Sequence, residues 1–151
     1  MELFVLRHGN AELMAASDAQ RNLTPRGISE TRAILSDCRD ALASVTAIYA
    51  SPYIRAQQTA ELVSEMLNLP VTTCDLLTPE GRIESVCQFL DSFEPDEVPL
   101  LVSHQPFVGS FIDWLGDFEP GRHIMGTSAL AHLSVSVLAR GCADLLALKQ
   151  P

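Results

Sequence analysis

The sequence predicts an α/β protein, a three-layer α/β/α sandwich around a mostly parallel central sheet. Three observations carry this. Leu3-Phe4-Val5-Leu6 and Leu100-Leu101-Val102 are short unbroken apolar runs, the pattern of strands buried on both faces. Amphipathic helical stripes separate the apolar runs. Near the end, Leu133, Val135 and Val137 alternate with His132, Ser134 and Ser136, as in a strand with one solvated face. The resulting order, βαβαβαβαββ, suits a sheet whose parallel strands are joined by helical crossovers.

The first strand runs straight into Arg7-His8-Gly9-Asn10. Residues 11–23 carry no period and read as a loop, with Asp18 and Arg21 as solvated charges. Thr24-Pro25 starts a helix, with Thr24 as N-cap and Pro25 at the first helical position. Its inner stripe is Ile28, Thr31, Ile34, Leu35, Cys38, Ala41 and Leu42. Val45–Ala50 is the second strand, ending at Ser51-Pro52. The next helix turns Ala56, Ala60, Val63 and Leu67 inward and carries Arg55 in its first turn. A cation there opposes the helix dipole, so Arg55 is either a tolerated surface arginine or a group facing a bound anion.

Residues 70–74 form a short strand and 75–82 a loop containing Glu80. Ile83, Val86, Phe89, Leu90 and Phe93 mark a third helical stripe, and Glu94-Pro95-Asp96-Glu97 is an acidic connection. Val98–Ser103 repeats the opening pattern and runs into His104. Pro106 opens a helix with Val108, Phe111, Ile112 and Leu115 inward, stopped by Gly116. Residues 117–126 form a loop with Arg122 and His123. Residues 127–138 and Ala143–Leu148 are the closing antiparallel strands, His132 lying on the solvated face.

The length of 151 residues predicts one domain over 1–151, large enough for a real core. The net charge of −9 argues against nucleic acid, which needs clustered Lys and Arg. Cys38, Cys74, Cys87 and Cys142 are scattered, with no C-x-x-C pair and no zinc-ligand spacing. With no secretory signal and no membrane-length apolar run, they read as reduced thiols of a cytoplasmic protein that does not engage membranes.

Arg-His-Gly alone is equally well a strand ending at a charged turn. The repeat of the pattern at His104 shifts the balance. In a parallel sheet the carboxyl ends of strands share one rim, where open α/β sheets bind ligands. Arg7, Arg55, His8 and His104 converging there suit a phosphoryl group. Arginine grips phosphate oxygens bidentately, and a neutral imidazole can attack phosphorus. No cofactor or metal is expected, because the protein supplies the cations.

Arg7-His8-Gly9, the block Ser51-Pro52-x-x-Arg55-Ala56-x-x-Thr59-Ala60, and Val102-Ser103-His104 together resemble the histidine phosphatase superfamily, which includes the phosphoglycerate mutases. The resemblance spans almost the whole chain and implies a phosphoglycerate mutase-like fold. It implies His8 as nucleophile, Arg7 and Arg55 as phosphate ligands, and His104 completing the pocket. Gly9, Asn10, Gln105 and Arg21 are further candidate substrate-binding residues, with Arg122 and His123 at the rim.

The short length, Leu23-Thr24-x-x-Gly27 and His104-x-Pro106-x-Val108-Gly109 are most similar to the SixA-type branch. That branch implies hydrolysis of phosphohistidine on a protein, such as a histidine phosphotransfer domain, by a monomer. The chain departs from the mutase-like pattern at Asn10, where Glu is expected. It departs again at Pro79, which leaves Glu80 one place late as the candidate general acid. The alternatives are a small-molecule phosphomonoesterase, which needs such an acid, and a catalytically silent phosphoprotein-binding module.

Overall fold

The computed structural model describes all 151 residues. The chain forms β1 (Glu2–Arg7), α1 (Pro25–Asp37), α2 (Arg39–Leu42), β2 (Ala47–Ala50), α3 (Ile54–Leu67) and β3 (Val71–Thr73). It continues with α4 (Ile83–Leu90), β4 (Pro99–Ser103), α5 (Phe107–Gly116), β5 (Leu130–Val135) and β6 (Ala143–Lys149). The six strands make one sheet in the order β3-β2-β4-β1-β5-β6. The first four are mutually parallel. β5 runs antiparallel to β1, and β6 antiparallel to β5.

The period-two geometry of β1 splits its apolar run between two cores. Leu3 and Val5 face α4 and α5, packing with Val86, Leu90, Val108 and Phe111. Phe4 and Leu6 face α1, α2 and α3, packing with Ile34, Leu42, Ala60 and Val63. β4 divides in the same way, Leu101 to the first core and Leu100 and Val102 to the second. This double burial is why both strands read as unbroken apolar runs.

The topology creates the site. β1 and β4 are adjacent and parallel, with Arg7 in register with Ser103. The chain leaves β1 toward the α1 face and leaves β4 toward the α5 face. Their carboxyl ends therefore splay apart at the sheet's switch point, where open α/β sheets hold ligands. His8 and His104 each follow directly, and the His8 N–H donates to the Ser103 carbonyl at 3.0 Å.

Three expectations need correction. The first helical stripe does not run on unbroken. The helix turns at Cys38, so Leu42 is buried but Ala41 is exposed. α5 is not stopped by Gly116 in the left-handed region, because Asp117 takes that conformation (φ 55°). Gly116 instead admits the Phe118 ring, which a Cβ there would meet at 2.3 Å. His132 does not lie on a solvated face. It stacks on Phe4, its cross-strand partner, with ring centroids 4.2 Å apart, and its Nε2 pairs with Glu2 at 2.8 Å.

Candidate active site

His8 is held by its backbone and by one ring nitrogen. Its carbonyl accepts from the Ser128 N–H at 3.1 Å, and Nδ1 lies 2.8 Å from the Gly9 carbonyl. A carbonyl can only accept, so Nδ1 carries the proton and Nε2 the lone pair. Arg55 agrees with this tautomer, since its Nε donates to His8 Nε2 at 3.3 Å. Burial, aided by the charges of Arg55, Arg7 and Arg21, lowers the His8 pKa to about 4. The imidazole is therefore neutral at physiological pH.

His104 is oriented from the other side. Its Nε2 lies 2.7 Å from Ser51 Oγ, which also accepts from the Tyr53 N–H at 3.2 Å. In the tautomer where the Ser51 hydroxyl donates to His104 Nε2, the ring proton sits on Nδ1. That Nδ1 is buried and has no partner in the protein. Burial first, then the neighbouring His8 and Arg55 charges, lowers the His104 pKa to about 3. His104 thus presents an N–H donor without needing to become an imidazolium. The two histidine rings lie 5.1 Å apart, and Tyr53 packs edge-on against His104 at 5.0 Å.

The two arginines are tethered differently. Arg7 Nη1 donates to the Met125 carbonyl at 2.8 Å, while its buried Nε has no partner. Burial, and then the Arg55 charge, lowers the Arg7 pKa, so a bound anion would relieve both penalties. Arg55 is only 5% exposed despite its helix-terminal position. Its Nη1 donates to the Asp18 carbonyl at 2.7 Å and its Nη2 to Asp18 Oδ2 at 3.2 Å. Asp18 in turn takes Arg21 Nη1 at 2.8 Å, and Arg21 Nε donates to the Glu12 carbonyl. Hydrogen bonds from Arg21, and then the Arg55 contacts, hold the Asp18 carboxyl below its ordinary range. Asp18 is therefore no free surface charge, as the sequence suggests, but the counter-ion of two arginines.

The other candidates separate. The Gly9 amide donates to Thr59 Oγ1 at 3.0 Å. Gly9 is needed for packing, since a Cβ would sit 2.8 Å from Thr31 Oγ1 and 3.0 Å from the Gly27 carbonyl. Asn10 Oδ1 accepts from Thr24 Oγ1 at 2.7 Å, tying the site to the start of α1. Gln105 Oε1 accepts from the Gly109 N–H at 3.2 Å. Glu80 is exposed and lines a shallow cavity with Asp75, Thr78, Arg82 and Ser85. Arg122 is exposed without an ion pair, and His123 is bound to Asp113.

Ser51, Thr59, Asp18 and the Met125 carbonyl are missed by sequence reasoning. Ser51 and Thr59 stand inside a motif already singled out, so a signal for them existed. No group of three or more His, Cys, Asp or Glu side chains is placed to hold a metal ion. No helix is long and apolar enough to cross a membrane. The largest cleft, about 420 Å³ between α1 and α3, is lined by Arg32, Arg39, Glu65 and apolar neighbours and shares no residue with this rim. Convergent chemistry, not concavity, marks the site.

Fold and site together define a class: a parallel α/β sandwich carrying two neutral imidazoles and two guanidiniums at its switch point. The chain belongs to the histidine phosphatase superfamily (branch 1), whose sequence profile matches residues 3–78. It is 35% identical over 147 residues to the phosphohistidine phosphatase SixA of Escherichia coli strain K12, covering 93% of this chain and 89% of that one. A SixA homolog of Haemophilus influenzae is 33% identical over 123 residues, 74% of this chain and 75% of that one. The solved structure of the protein histidine phosphatase SixA complexed with tungstate superposes with a TM-score of 0.89 at 32% identity, covering 100% of this chain and 97% of that one.

Proposed function

We propose that this protein is a phosphohistidine phosphatase that removes phosphate from a histidine-phosphorylated protein through a phosphohistidine on His8. One observation carries the mechanism. Two buried nitrogens among the residues of the site, Arg7 Nε and His104 Nδ1, have no hydrogen-bond partner in the protein. Leaving a buried polar group unpaired costs about 1–3 kcal/mol, so such atoms call for a ligand. A tetrahedral oxyanion supplies acceptors for both while presenting phosphorus to His8.

His8 Nε2 forms a bond to phosphorus as the bond from phosphorus to the substrate imidazole breaks. That imidazole departs neutral when its distal nitrogen is protonated, so no carboxylic acid is required. On His8 the bond from Nδ1–H to the Gly9 carbonyl keeps the phosphoimidazole in this same labile, protonated form. Water then attacks phosphorus, inorganic phosphate leaves, and His8 regains its lone pair. Arg7, Arg55 and the His104 Nδ1–H stabilise the charge spread over the equatorial oxygens. The similarity to SixA and the exposed position of Glu80 both favour phosphohistidine over an alkyl phosphate, whose alkoxide needs an acid.

The test is to compare kcat/KM on a phosphorylated histidine phosphotransfer domain with that on p-nitrophenyl phosphate and phosphoglycerates. Rapid quenching is expected to trap acid-labile phosphate on His8, and His8→Ala to abolish turnover in a folded protein. Near-wild-type activity in His8→Ala would refute the mechanism. A small phosphomonoester outperforming every phosphohistidine protein, with that activity lost in Glu80→Gln, would make the enzyme a monoesterase. Activity is expected to survive EDTA, because the two guanidiniums neutralise the phosphoryl group.

A further inference from the structure

Asp113 is a buried carboxylate that the chemistry above does not use. It lies inside α5, only 3% exposed. A buried charge costs several kcal/mol unless it is paired and hydrogen-bonded. Here all its hydrogen-bond partners belong to one residue. Both carboxylate oxygens take the His123 N–H, at 3.2 and 3.3 Å, and Oδ1 also takes His123 Nδ1 at 2.7 Å. One turn earlier, α5 is notched: a Cβ on Gly109 would sit 2.2 Å from the His123 carbonyl. The helix therefore grips His123 at its backbone N–H and its ring, and leaves room for its carbonyl.

Two residues on, the Met125 carbonyl receives Arg7 Nη1. The intervening backbone is fixed from the opposite side as well. Gln150 donates to the Ile124 carbonyl at 3.2 Å and accepts from the Gly126 N–H at 2.8 Å. The Met125 side chain is fully buried. An exposed loop, 117–126, thus presents one carbonyl in a defined direction because α5 and the C-terminal segment pin its last residues, 123–126.

We propose that Asp113, acting through His123, is a positioning residue for the phosphate clamp. It aims the Met125 carbonyl, which holds one arm of Arg7 and leaves Nε for the phosphoryl oxygens. This rests on Arg7 being a phosphate ligand, so the test measures oxyanion binding and includes Arg7 itself. Tungstate affinity is to be measured by calorimetry for Asp113→Ala, His123→Phe and His123→Asn. Each is made alone and with Arg7→Ala, with folding checked by circular dichroism.

Asp113→Ala and His123→Phe are expected to weaken tungstate about tenfold, and His123→Asn, which can still donate to Asp113, to stay near wild type. In the Arg7→Ala background the same changes should matter less than about twofold, because coupled residues are non-additive. A merely structural role would lower Tm but leave the affinity of the folded protein intact. If Asp113→Ala does not fold, His123→Phe carries the test. Wild-type tungstate affinity in the folded variants, or an equal loss with and without Arg7, overturns the positioning role. Unchanged affinity in Arg7→Ala alone overturns the clamp reading of Arg7 and this inference with it.

Discussion

The two arginines of the site are held in opposite ways. Arg7 leans on a backbone carbonyl, in a loop pinned to a helix and to the C-terminal segment. Nothing there competes with an incoming anion. Arg55 leans on Asp18, whose side chain is 59% exposed and carries the same charge as the substrate. One arm of the clamp is preorganised, and the other is occupied by an internal anion that phosphate must join or displace. Preorganised donors contribute most where charge develops in the transition state, because they need no rearrangement at that moment. On the proposed mechanism, the fixed arm serves mainly catalysis and the exchangeable arm the capture and release of phosphate.

The largest effect should come from removing each arm. Arg7→Ala is expected to cost on the order of 3 kcal/mol or more in transition-state stabilisation, read as a fall in kcat/KM of about a hundredfold or more. Arg55→Ala should cost less, since its gain in the wild-type protein is offset by losing Asp18. Its loss should also weaken tungstate. A larger fall in kcat/KM for Arg55→Ala than for Arg7→Ala would reverse the asymmetry. Unchanged tungstate affinity in Arg55→Ala would remove Arg55 from the site.

The two histidines of the site should show their effect in stability. Burial holds the His8 pKa near 4 and the His104 pKa near 3, both below the ordinary value of 6.5. The unfolded chain therefore binds more protons than the folded one between those values. Stability is fully present above about pH 6.5 and is lost as pH falls through the folded pKa values. Thermal unfolding of wild type should show Tm falling from pH 6.5 to pH 4, more steeply than in His104→Asn. Equal slopes would mean that His104 is not held neutral by its surroundings. Bound tungstate should flatten the wild-type slope by favouring the protonated imidazole.

Much of this was legible in the sequence because it was carried by side chains in regular elements. Leu3–Leu6 and Leu100–Val102 read as strands because both faces of each are buried, and their endings in His8 and His104 marked the rim. What the sequence hid was carried by the backbone or by pairs distant in the chain. The Met125 carbonyl has no signature, since every residue carries a backbone carbonyl. Asp18 looks like any loop aspartate until the chain folds back and sets it on Arg55, a residue 37 positions away. His132 read as solvated because its alternation with Leu133 was visible and its register against Phe4 was not. Gly9 reads in the sequence as a candidate substrate-binding residue, whereas the crowding by Thr31 and Gly27 that requires a glycine there exists only in three dimensions.

The smallest expected effect probes the exchangeable arm most directly. In Asp18→Asn the carboxylate charge is gone, but the Asp18 backbone carbonyl that takes Arg55 Nη1 at 2.7 Å remains. Arg55 should therefore stay in place while losing its internal competitor. Tungstate affinity should rise about two- to fivefold, the scale of a largely exposed ion pair worth up to about 1 kcal/mol. Because Asp18 is exposed, the gain should shrink as salt is raised, since screening already weakens the carboxylate in the wild-type protein. Turnover need not improve in step, because phosphate held more tightly leaves more slowly. A fall in tungstate affinity in Asp18→Asn would mean that the carboxylate positions Arg55 instead of competing for it. Both arms of the clamp would then be preorganised, one by a buried loop anchor and the other by an exposed carboxylate.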